Sequence, residues 1–148
     1  MSQRRELKPP NGGGASIIDR ELFRFLVDLE VRKAQRLRYC VSLVCLAASL
    51  RPHPSEPPLV EIIARHIRAT DAVAPWASAS LVLLLVDAEV ASLPSIIRRL
   101  TKDLPTEWSA GGSGYPRTAT GAEDLLRQAT DMMLEAQKDG GARLYLAR

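Results

Sequence analysis

The sequence predicts an α+β fold, in which a central mixed, mostly antiparallel sheet with a βααββαβ-type core is flanked by helices. Three observations predict it. Residues 39–48 form an unbroken apolar run rich in Val and Leu, the pattern of a strand buried on both faces. The apolar runs at residues 72–76 and 81–86 are interrupted by the four residues Ala77, Ser78, Ala79 and Ser80, which reads as the turn of a β-hairpin. Segments with apolar residues at helical spacing lie between and beyond these strands.

Taken in order, residues 1–16 carry a basic start, then Pro9, Pro10, Gly12, Gly13 and Gly14, and read as a flexible arm. The folded domain is expected over residues 17–148. Asp19 is a plausible N-cap for a first helix reaching Arg38, with Leu22, Phe23, Leu26, Leu29 and Ala34 on its apolar side. Arg32, Lys33, Arg36 and Arg38 fill the other face. After the strand at 39–48, residues 49–58 contain Pro52, Pro54, Pro57 and Pro58 and exclude regular structure. A second helix is expected over 59–69, with Val60, Ile63, Ala64 and Ile67 buried. The hairpin follows, then a helix over 90–102 whose Pro94 falls in the tolerant first turn. A glycine-rich strand at 108–114, a helix at 122–138 and a closing strand at 143–147 complete the chain. From Val41 to the strand at Trp108 the order is β-α-β-β-α-β, the split unit of ferredoxin-like folds.

Composition removes several functions. The formal net charge is only +3 and the basic residues are dispersed, which argues against a nucleic-acid surface. No apolar run approaches the ~20 residues that span a bilayer, so no membrane segment is expected. Cys40 and Cys45 lie five apart on one predicted strand and point to opposite faces, so they do not bridge. A reduced, cytoplasmic protein is the expectation. His53 and His66 are too few for a metal site, and Ser109 has no evident His and acid partners. Trp76 is expected in the core.

Arg68 and Asp71 form an RxxD pair, and five residues further on stand Ala77, Ser78, Ala79, Ser80 and Leu81. Asp19, Arg20 and Phe23 open the first helix, Ser109, Gly111 and Pro116 follow in the later strand, and Leu125, Leu126, Ala129, Ala136, Lys138 and Gly140 mark the last helix. In order and spacing these residues resemble the GGDEF domain of diguanylate cyclases over roughly residues 17–148, which implies a nucleotidyl-cyclase-like fold.

The resemblance places the family's metal-binding Asp-x-Asp on Ala47, Ala48 and Ser49. It places the five-residue signature on Ala77, Ser78, Ala79, Ser80 and Leu81, with the acidic pair at Ala79 and Ser80. None of these residues is a carboxylate, and magnesium requires oxygen ligands. The proline-rich segment stands where the family holds the guanine base. The resemblance therefore implies a degenerate domain, without catalysis, metal or cofactor.

The family's RxxD motif also forms a separate inhibitory site for cyclic di-GMP. On that resemblance Arg68, Asp71 and, on the helix after the hairpin, Arg99 with Arg98 beside it would hold the dinucleotide as a regulatory ligand. An arginine fork suits phosphodiester or guanine, and a carboxylate suits guanine N1 and N2. The local alternative is an arginine at a helix end with an aspartate capping the next turn. Two roles follow: a cyclic di-GMP receptor that regulates a protein partner, with a ligand-linked homodimer implied, or a ligand-independent protein-interaction module.

Overall fold

The computed structural model describes residues 15–48, 58–77, 79–102, 104, 107–141 and 143–148. The arm up to residue 14, Ser49, His53 and the rest of the 49–57 segment, and Ser78 lie outside the described residues. The elements run β1 (Ser16–Ile17), α1 (Arg20–Leu37), β2 (Val41–Ala48), α2 (Leu59–Ala64), β3 (Ala72–Pro75) and β4 (Ser80–Val86). A 3-10 turn (Val90–Ser92) then leads into α3 (Leu93–Thr101), β5 (Trp108–Tyr115), α4 (Ala122–Lys138) and β6 (Arg143–Leu146).

All six strands share one sheet in the order β1-β3-β4-β2-β5-β6. β2 is antiparallel to both β4 and β5, β3 is antiparallel to β4, and the edge strands β1 and β6 run parallel to their neighbours. The mixed sheet flanked by helices is the fold class that the sequence predicts. Every residue of β2 is buried, because each side of the strand faces a core. Val41, Leu43, Cys45 and Ala47 join α1 and α4 in one core, while Val44 and Leu46 join α2 and α3 in the other. A continuous apolar run is what such a central strand requires.

Asp19 caps α1 as expected: its Oδ1 accepts from the Leu22 amide at 2.8 Å. The buried stripe differs from the expected one. Phe23, Val27, Val31 and Ala34 face the core, whereas Leu29 is 41% exposed. Leu29 sits six residues beyond Phe23, which at about 100° per residue carries it to the outer side.

α2 is shorter than the expected 59–69 helix and ends at Ala64. The His66 amide donates to Ile63 O at 3.0 Å, a tighter turn, and Asp71 shapes the turn that follows, so His66 lies in a turn and not on a helix. Ile67 stays buried, but Val60 is only partly so. The fold also starts earlier than residue 17. Ala15 is fully buried with its amide donating to Ala64 O at 2.9 Å, and Ser16 pairs with Ala72 along the edge of β3.

Gly111 sets how closely α4 lies on the sheet. A Cβ there would stand 2.2 Å from both Ala129 O and the Met133 amide nitrogen, so only a residue without a side chain lets this helix rest on β5. Gly111→Ala is expected to destabilise the protein by about 2–3 kcal/mol or more in urea unfolding, since neither contact is a flexible side-chain end. The Cys45 thiol is pushed up to about 12 by burial, and that of Cys40 is raised first by burial and then by Asp87 and Glu89. Cys45 therefore stays protonated as pH rises past the ordinary thiol range. Alkylation of the native protein at mildly alkaline pH, read by mass spectrometry, should leave Cys45 unmodified until the chain is unfolded.

Candidate functional site at the β3–β4 hairpin

The hairpin carries the sequence-predicted residues at its two ends. At the tight end the register is Pro75 opposite Leu81, and the Trp76 amide donates to Ser80 O at 3.0 Å. Ser80 builds the turn: its amide donates to Ala77 O at 3.0 Å and its Oγ accepts from the Ala77 amide at 2.9 Å. Ala79 takes a left-handed φ of 62°, a conformation that costs a residue with a Cβ about 1–2 kcal/mol. Leu81, the fifth signature position, is a core residue.

The turn borders a groove of about 520 Å³. Ala47 pairs with both Ser80 and Ser109 across the sheet, so three of the four positions matched to the family's acidic residues come together here, the fourth, Ser49, lying outside the described residues. These three are Ala47, Ala79 and Ser80, with Ala48 and Ala77 beside them. Met133, Leu134 and Gln137 of α4 form the opposite wall. One carboxylate, Glu107, reaches the groove from the residue before β5, and no sequence pattern singled it out. Among the described residues no group of three His, Cys, Asp or Glu side chains converges to hold a metal.

The RxxD pair occupies the other end. The Asp71 side chain is only 3% exposed: Oδ1 accepts from the Val86 amide at 2.9 Å, and Oδ2 accepts from the Arg68 amide at 3.2 Å. Arg68 Nε lies 3.5 Å from the same Oδ2, and a terminal nitrogen of Arg68 donates to Val86 O. Asp71 thus ties the turn before β3 to the end of β4. The Arg68 side chain is 60% exposed, with donors still facing solvent. Arg98 and Arg99 are exposed on α3, which packs on the same sheet face as α2.

Trp76 departs from its expected place in the core. It is half-buried and meets Phe23 edge-on at 6.2 Å, while two guanidiniums of α1, Arg20 and Arg24, lie over its ring. Neither arginine was identified as a site residue from the sequence, although their four-residue spacing puts them on one helix side. A wider open depression of about 1150 Å³ lies at the opposite end of β2, bordered by Glu89, Arg117, Tyr145 and Arg148, and includes no sequence-predicted site residue.

This arrangement of sheet, helices and hairpin is that of GGDEF domains. The chain superposes on the GGDEF domain of YfiN (also called TpbB) from Pseudomonas aeruginosa with a TM-score of 0.80 and 18% identity, covering 88% of this chain and 96% of that one. The GGDEF domain of DgcB from Caulobacter crescentus, in complex with c-di-GMP, matches with a TM-score of 0.74 and 10% identity over 100% and 98% of the two chains. The diguanylate cyclase SiaD from Pseudomonas aeruginosa, in complex with its activator SiaC, matches with a TM-score of 0.73 and 18% identity, over 88% of this chain and 58% of that one. No protein-family model and no curated protein matches the sequence.

The different surroundings of Arg68 and Asp71 give different expected costs. Asp71→Ala should destabilise the protein by about 1–3 kcal/mol, because two backbone amides lose their acceptor. Arg68→Ala should cost below about 1 kcal/mol, as expected for an exposed ion pair. Paired urea titrations check the order, and equal losses would remove the structural role assigned to Asp71.

Proposed function

We propose that this chain is a catalytically inactive domain of the GGDEF fold that acts by binding a protein partner. The groove at the turn carries the proposal. Joining nucleotides by phosphoryl transfer needs divalent metal ions held by carboxylates to neutralise phosphate charge. The positions that converge here are Ala47, Ala79 and Ser80, and Glu107, the one carboxylate at the groove among the described residues, is by itself a poor cage for magnesium. Exposed apolar side chains support a docking role: Phe25 is 62% and Leu37 65% exposed on α1, and Leu134 is 50% exposed at the groove. The free thiols of Cys40 and Cys45 fit a reducing compartment such as the cytoplasm, and among the described residues no helix is long and apolar enough to cross a membrane.

A second function, cyclic di-GMP reception coupled to a partner, is favoured by the geometry of Arg68. Its guanidinium is held by Asp71 and Val86 O yet remains exposed, and DgcB, a neighbour in fold, binds c-di-GMP. Asp71 itself is committed to backbone amides, so such a site would rest on Arg68 with Arg98 and Arg99.

Incubation with GTP and magnesium is expected to give no cyclic di-GMP by mass spectrometry. A magnesium-dependent product that disappears in Glu107→Gln would sink the non-catalytic reading. Calorimetry with cyclic di-GMP at micromolar concentrations is expected to be silent. Heat that is lost in Arg68→Ala, with dimerisation seen by light scattering, would move the second function ahead of the first.

A further inference from the structure

Trp76 sits immediately before the turn with one edge against Phe23 and its face under two cations. Arg20 Cζ lies 4.1 Å and Arg24 Cζ 5.2 Å from the ring centroid. The pairing of two cations here carries a cost. Like charges four residues apart on a helix repel, and Arg20 opens α1, where the helix dipole disfavours a cation. Among the described residues the ion pairs involve Arg32, Lys33, Arg68 and Arg127, so neither Arg20 nor Arg24 has a carboxylate at ion-pair distance. Cation–π attraction holds both guanidiniums on the indole, and the one hydrogen bond they make is a long one, 3.5 Å from Arg20 to Trp76 O. The result is a preorganised pair of forks with donors to spare.

The groove adjoins this pair. Trp76 and Met133 belong to the same core on one face of the sheet, and Ala77, the residue after Trp76, lines the groove. Its apolar wall is Met133 and Leu134, while Glu107 enters from the β5 side, across β4 and β2 from the turn. Charge along this surface is therefore polarised, with cations at the turn and an anion at the far side.

We propose that this surface docks an acidic segment of a partner protein. Its carboxylates seat on Arg20 and Arg24 beside Trp76, and an adjoining apolar side chain enters the groove against Met133 and Leu134. Paired guanidiniums match carboxylates in bidentate geometry, and a neighbouring apolar pocket supplies the anchor that a charge contact alone lacks. A bare phosphate fits less well, because it leaves the apolar wall of Met133 and Leu134 without a partner. The inference rests on the reading of the domain as a binding module and names the chemistry of the segment it binds.

The probes are two tetrapeptides, acetyl-Glu-Glu-Leu-Leu-amide and its glutamine counterpart, and inorganic phosphate, each titrated into the ¹⁵N-labelled full chain. The Trp76 indole N–H resonance should move and saturate with the glutamate peptide. Binding should be at least about tenfold weaker for the glutamine peptide, and equally weakened in Arg20→Glu with Arg24→Glu. Leu134→Gln, at an exposed position, should weaken it several-fold with the fold intact. No Trp76 response to the glutamate peptide overturns the proposal, as does an equal response to both peptides. Phosphate binding as tight as the glutamate peptide also overturns it, since that marks a bare anion site. These outcomes are independent of GTP turnover: product formation ends the non-catalytic reading, whereas a silent peptide titration without product removes only this inference.

Discussion

The eight residues of β2 have no solvent face, and this constraint organises the molecule. A strand buried on both sides must have both hydrogen-bonding edges paired and both faces covered, because an unsatisfied backbone amide or an uncovered leucine there costs too much. β4 and β5 take the edges, and two helices cover each face. The hairpin, the groove and the RxxD turn are all placed by their distance from this strand. Ala47, near its C-terminal end, faces the tight turn, and Val41, at its start, pairs with Val86 near the Arg68 corner.

The two ends of the hairpin have accordingly kept different things. At the tight end Ser80 closes the turn and Ala79 sits at positive φ, among side chains that carry no charge. At the other end the polar pair persists because Asp71 satisfies the Val86 and Arg68 amides that a corner between a turn and a strand end would otherwise leave open. A motif associated with ligand binding in the family that the sequence resembles is thus also a local structural device here. Its aspartate is buried for that reason, and its arginine is the half that solvent reaches.

How much of this is legible in the sequence follows from the range of the forces involved. The unbroken run of β2, the Asp19 cap and the apolar period of α4 depend on near neighbours, so composition and spacing reveal them. The outward position of Leu29 depends on which side of α1 meets the sheet, a tertiary choice that a helix with apolar residues on several sides leaves open. The early end of α2 comes with a tighter turn at His66, whose amide reaches back to Ile63 O, and no residue spacing announces it. The uncharged residues at the turn were readable because the resemblance placed the family's acidic positions on Ala47, Ala79 and Ser80. Glu107 and the Arg20–Arg24–Trp76 cluster were not, since contacts between segments distant in the chain leave no short pattern.

Gly111 bears on how the groove can change shape. Because the backbones of α4 and β5 touch there, the wall formed by Met133 and Leu134 and the end of β5 that carries Glu107 and Ser109 form one stiff unit. The facing side is the β3–β4 hairpin, joined along its length to β2 through β4 and tied at its far end by Asp71. Any widening to admit a guest is therefore confined to the turn around Ala77 and Ala79, beyond the last paired residues of the hairpin. The opening is thus a slot between two fixed walls, and the cations resting on Trp76 belong to α1, whose Phe23 is locked into the same core as Met133.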